Sequence, residues 1–149
     1  MVEIATYIDK LLKEQLLILV DELKARHIEL GQKATGKWVE SLEVVVSGGK
    51  GVIYGTDYTE YIVKGRSSGK RPPISPLEDW AKAKLGLQGK EALNVAFAVS
   101  NKIAREGTET YQQGGNDLID SVITQQRINK MYDNLGEKIS VSIAENLRR

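Results

Sequence analysis

From residue 3 to about residue 32, apolar side chains recur in three- and four-residue steps: Ile4, Ile8, Leu11 and Leu12, Leu16, Leu19, Leu23. That period belongs to an α-helix, and Gly31 is a natural C-terminal stop for it. Through Leu16, Leu17, Ile18, Leu19 and Val20 the apolar character runs all the way round. A helix apolar on every side needs cover on every side, which a chain of 149 residues can rarely give its first helix. The stretch therefore reads either as a contact with a neighbouring subunit, the expectation adopted, or as a helix sunk in its own core. It is far short of the roughly 20 residues that span a bilayer. Glu3 and Asp9 spoil the basic start of a signal peptide, so no membrane partner is expected.

Two strands follow. Residues 42–46 and 51–54 flank Ser47-Gly48-Gly49-Lys50, a glycine turn of the kind that closes β-hairpins. Ahead of them, residues 35–41 form a short capped turn, and residues 58–64 one or two helical turns ended by Gly65. Ser75 as N-cap and Pro76 at the first helical position begin a helix that Gly86 ends. Trp80, beside Ala81 and a turn past Leu77, is expected to be buried and to anchor that helix on the sheet. A further helix runs over residues 89–106, with Gly107 as its stop. The tail from Ile128 has four-residue apolar steps that favour helix, although residues 139–143 alternate like a strand. The fold class is α+β: a small antiparallel sheet flanked by a long N-terminal helix and further helices, in a single domain over residues 1–149.

The middle of the chain is different in kind. Tyr54, Tyr58, Tyr61 and Trp80 frame a glycine- and proline-rich run, Gly65-Arg66-Ser67-Ser68-Gly69-Lys70-Arg71-Pro72-Pro73. A loop of this composition is expected to touch something outside the core. It is no phosphate loop: three residues separate its glycines where four are required, Arg71 stands where a Ser or Thr belongs, and two prolines follow instead of a helix. Chemistry elsewhere is scarce. There is no cysteine, and His27, the one histidine, reads as a plain surface residue on the first helix. Adjacent acids such as Asp21-Glu22 and Glu78-Asp79 read as solvated charges. No catalytic, cofactor-binding or metal-binding residue is expected, and no enzyme.

Charge is unevenly spread. Residues 61–105 hold nine Lys or Arg against three acids, a net +6, whereas the whole chain carries +1. Such a chain can dock the positive part of one copy on the negative part of the next, or face phosphates.

The order of these pieces resembles the neck and tail-completion proteins of tailed bacteriophages, the minor tail components that join head to tail. The likeness runs from residue 1 to about 108. It rests on the long first helix, Thr35-Gly36-Lys37-Trp38 with Ser41, and the hairpin reaching Val52-Ile53-Tyr54-Gly55. Tyr58 and Tyr61 before Gly65, the loop to Pro72-Pro73 and Trp80-Ala81 continue it. A helix ending Ile103-Ala104-Arg105-Glu106-Gly107-Thr108 completes it. Where the family usually shows Glu-Gly-Thr this chain has Lys64-Gly65-Arg66, which makes its loop more basic.

The resemblance implies a structural virion protein of the neck or tail, made in the host cytoplasm, with neither catalytic residues nor cofactor. It implies a six- or twelve-fold homo-oligomeric ring that continues the portal DNA channel and contacts portal or adaptor and tail proteins. Interaction residues are then Tyr58, Tyr61, Lys64, Arg66, Lys70, Arg71, Pro72 and Pro73, docking on a neighbouring ring or lining the channel in non-specific contact with DNA. The stiff exit at Pro72-Pro73 favours docking on protein. Leu16, Leu17, Ile18, Leu19 and Val20 form the subunit interface. The competing expectation is a non-enzymatic nucleic-acid-binding module that uses the basic 61–105 surface, with Tyr58 and Tyr61 as stacking platforms.

Overall fold

The computed structural model describes residues 2–148. In chain order the elements are α1 (Val2–Glu29), α2 (Lys37–Ser41), β1 (Glu43–Ser47), β2 (Lys50–Tyr54), α3 (Thr59–Lys64) and α4 (Ile74–Leu85). They continue with α5 (Gly89–Glu106), α6 (Glu109–Gln112), α7 (Leu118–Val122) and α8 (Gln125–Leu147). A long N-terminal helix, one two-stranded antiparallel sheet and further helices make the class α+β. The residues fall into two compact units. The first takes the chain through His27, then Ser41–Gly55, then from Leu118 onward; the second holds Ile28–Glu40 and Thr56–Asp117.

In the first unit, Leu11, Leu16 and Leu19 of α1 pack with Met131 and Leu135 of α8. The hairpin lies on this core through Val44, Val46 and Ile53. Its rungs run from Glu43 opposite Tyr54 to Ser47 opposite Lys50, so the turn shrinks to Gly48-Gly49. Both glycines have positive φ, 59° and 77°, the left-handed pair that matches the strands' own twist. The Gly49 amide donates to Asp9 Oδ1 at 2.7 Å, fixing the turn to α1. Gly51 lacks a side chain for a steric reason: a Cβ there would collide with Leu16 Cδ1. Thr124 caps α8 by accepting from the Arg127 amide at 3.0 Å, and Arg127 Nε donates to both carboxylate oxygens of Glu22, at 2.8 and 3.1 Å. Residues 139–143 are helical, so the four-residue rhythm outweighs the alternation there.

His27 corrects a sequence expectation. It is buried at 3% exposure because Leu19, Leu23 and His27 follow one another at four-residue steps, and the buried stripe of α1 runs one turn further than its leucines.

In the second unit, α4 lies along α5. Ala81, Ala92 and Ala96 are fully buried, and such small residues let two helices approach closely. Trp80 is therefore displaced from the contact face and only half-buried, contrary to expectation. The buried tryptophan is Trp38 of α2, 3% exposed, whose Nε1 donates to Thr59 Oγ1 at 3.0 Å. Helix α4 also starts earlier than Ser75. Pro73, in extended conformation at φ −56° and ψ 142°, precedes its first residue and gives no side-chain cap. Pro76 falls within the first turn, where a missing N–H costs nothing.

Trp38→Ala should cost about 3–5 kcal/mol, the range for large aromatic truncations in a core. Trp80→Ala should cost distinctly less. Denaturant melts with equal losses for the two would contradict this assignment of inside and outside.

Candidate functional site

The basic loop is fastened at Gly65, Arg66, Gly69 and Pro72, although its composition predicts an excursion away from the core. It leaves α3 at Gly65, whose amide donates to Tyr61 O at 2.8 Å. Gly65 sits at φ 79° and ψ −176°, a conformation essentially restricted to glycine. A Cβ there would collide with the Tyr111 amide nitrogen and stand 2.6 Å from Thr108 Oγ1. Gly107 faces it across the same gap at φ 78°, where a Cβ would lie 2.9 Å from Arg66 O. The two glycines let two backbone segments meet without side chains between them.

Thr108 closes that meeting. Its amide donates to Arg66 O at 2.9 Å, and its Oγ1 accepts from the Arg66 amide at 2.9 Å. The same oxygen accepts from the Tyr111 amide at 3.3 Å, capping α6. Further along, the Gly69 amide donates to Ala104 O at 2.8 Å, and Ser100 Oγ, itself buried, donates to Pro72 O at 3.0 Å. The last carbonyls of α3 are taken up as well. Ile62 O accepts from Gln32 Nε2 and from Asn116 Nδ2, both at 2.8 Å, and Val63 O accepts from the Asn116 amide at 2.8 Å.

The expected interaction residues divide accordingly. Tyr58 and Tyr61 are exposed, but the Arg66 guanidinium stands 5.6 Å from the Tyr61 ring centroid and occupies one of its faces. Arg66 is half-buried. Lys64 is exposed and pairs with Glu60 at 3.3 Å one turn earlier on α3. Pro72 is buried, so part of the loop does pack, while Lys70, Arg71 and Pro73 are exposed. Among the described residues neither Lys70 nor Arg71 has a hydrogen bond or ion pair.

The five expected interface residues belong to the first unit and also divide. Leu16, Leu19 and Val20 are buried against their own chain, leaving Leu17 and Ile18 outward at 46% and 48% exposure. The all-round apolar stretch is thus a core helix over most of its girth, and only two of its side chains are free to meet a partner.

The surplus of base over acid in residues 61–105 does not make its unit basic. Asp57, Glu60, Glu106, Glu109 and Asp117 lie in the same unit, which totals eleven Lys or Arg against ten acids. Among the described residues no group of three or more His, Cys, Asp or Glu side chains could hold a metal ion. No helix among them is long and apolar enough to cross a membrane.

Sequence reasoning missed Thr108 as a clasp and Asn116 as the donor that satisfies the last carbonyls of α3. For Thr108 a signal existed: glycine then threonine directly after a helix marks a C-terminal stop followed by a new N-cap. For Asn116, one polar residue in a polar loop, there was none. Comparison with protein-family models, with characterised proteins and with solved structures finds no match to this chain.

Thr108→Val removes the acceptor used by two backbone amides while keeping side-chain volume, and should cost about 1–3 kcal/mol. Thr108→Ser, which keeps the oxygen, should lie close to the parent. Thermal melts in which Val and Ser behave alike would show that the hydroxyl does not hold the loop.

Proposed function

We propose that the chain is a structural subunit of the neck or tail of a tailed bacteriophage, assembling into a six- or twelve-fold ring at the head–tail junction. In this reading it is no enzyme, and its partners are further copies of itself and the portal, adaptor or tail proteins above and below it.

The observation that carries the reading is the amount of large apolar side chain left outside the first unit's core. Leu17 and Ile18 of α1, Val45 and Tyr54 of the hairpin, and Tyr132, Val141, Ile143 and Leu147 of α8 are each more than 40% exposed. Where such side chains adjoin in a patch they mark association sites, and in this reading they do so in the assembled ring. The sheet adds to it, because two strands leave two outer edges without a partner among the described residues. Such edges recruit strands from other chains. The family resemblance supplies the identity of the assembly, and the fastened loop supplies a surface of fixed shape to present to a neighbouring ring.

The test is assembly. Size-exclusion chromatography with light scattering should give a species several-fold larger than 16.5 kDa. Leu17→Glu combined with Ile18→Glu should reduce or abolish it. The same pair should change the monomer's stability by no more than about 1 kcal/mol, because both side chains are already half in water. A particle of unchanged size with a badly destabilised fold would assign both residues to the chain's own core and remove this surface from the assembly.

A further inference from the structure

On the exposed side of α5 the described loop and helix together form a depression of about 480 Å³, lined by Arg71, Ala98, Asn101, Ala104 and Arg105. We propose that this notch binds a backbone phosphate of single-stranded nucleic acid, with the neighbouring Phe97 as a platform for one unpaired base.

Three features converge on it. First, Arg71 and Arg105 both line the one hollow, and among the described residues neither has a hydrogen bond or ion pair. Two cations that line one hollow repel each other less when an anion sits there, and the planar fork of arginine matches the oxygens of a phosphate. Second, the backbone that carries Arg71 is held against α5. The Gly69 amide on Ala104 O and Ser100 Oγ on Pro72 O pin the backbone on both sides of Arg71, and the following proline restricts Arg71 to extended conformations. The acceptor that α5 would otherwise offer at Ala104 is thereby consumed. The alanines keep the hollow open, and no acid lines it. Third, Phe97 is 48% exposed one turn before Asn101 on the same face of α5, which leaves part of its ring open to a partner. An exposed aromatic ring beside a cationic cleft accepts a stacked base, and only an unpaired base can offer its face. Tyr61 is less suited to that role, since Arg66 already takes one of its faces.

The proposal needs one copy of the chain only, so it stands or falls separately from ring formation. It is tested by fluorescence anisotropy with a labelled 12-nucleotide oligothymidylate, using the full chain. Affinity should fall as salt rises. Arg71→Gln with Arg105→Gln should weaken binding at least about tenfold and reduce the log–log salt slope by about 0.7, the value for one lost phosphate contact on a single strand. Phe97→Ala should weaken it several-fold with little change in slope. All three side chains are exposed, and an unchanged melting temperature confirms that the variants fold. Absence of binding at low salt, or binding indifferent to the double substitution, would overturn the proposal. Indifference to Phe97→Ala would overturn the assignment to single strands. Equal competition by poly-glutamate of the same charge would assign the notch to an acidic protein segment instead.

Discussion

The organisation of the second unit depends on one close approach, between Gly65-Arg66 and Gly107-Thr108. Neither glycine could be replaced without driving a Cβ into backbone or side-chain atoms across the gap. With both in place, Thr108 makes three hydrogen bonds at a single point, two to Arg66 and one to Tyr111. This clasp turns a glycine-rich segment, which in isolation would carry a large conformational entropy, into a fixed strip along α5. From it the loop runs on to Gly69, which bonds Ala104, and to Pro72, which bonds Ser100, so that Arg71 lines the same notch as Arg105.

The first unit works by a different economy. Its leucine-rich helix spends Leu11, Leu16, Leu19 and Leu23 on an internal core and leaves Leu17 and Ile18 in water. Toward its C-terminus α8 does the same, with Ile143 and Leu147 outward. Burying such side chains against another subunit would gain roughly 25 cal/mol per Å² of apolar surface, set against the entropy lost on association. The ring proposal therefore rests on the first unit and the loop surface on the second.

Much of this was legible in the sequence. Period and stop signals placed α1 and α5 closely, and the glycine pair placed the hairpin turn, because each is a local rule with a local cause. What failed was tertiary. No periodicity tells Trp80 from Trp38; the closeness of α4 to α5 decides, and alanines win that face. His27 looked exposed because it is polar, yet its place in the four-residue series put it inside. The loop looked free because glycine, serine and proline are loop residues. Its partners, Thr108, Ala104 and Ser100, lie some 28 to 42 residues away in sequence. Arg71 and Arg105 were both visible as charges within residues 61–105, whereas their meeting with Asn101 in one notch came only through that long-range docking.

The central claim is that the basic loop is a fixed surface and not a mobile brush. Backbone ¹⁵N relaxation of residues 66–71 tests it most directly. The account predicts order parameters near those of α5, about 0.85, with the Gly69 and Arg66 amides as rigid as their helical neighbours. Values below about 0.6 across the segment would contradict it, and with it the notch beside α5.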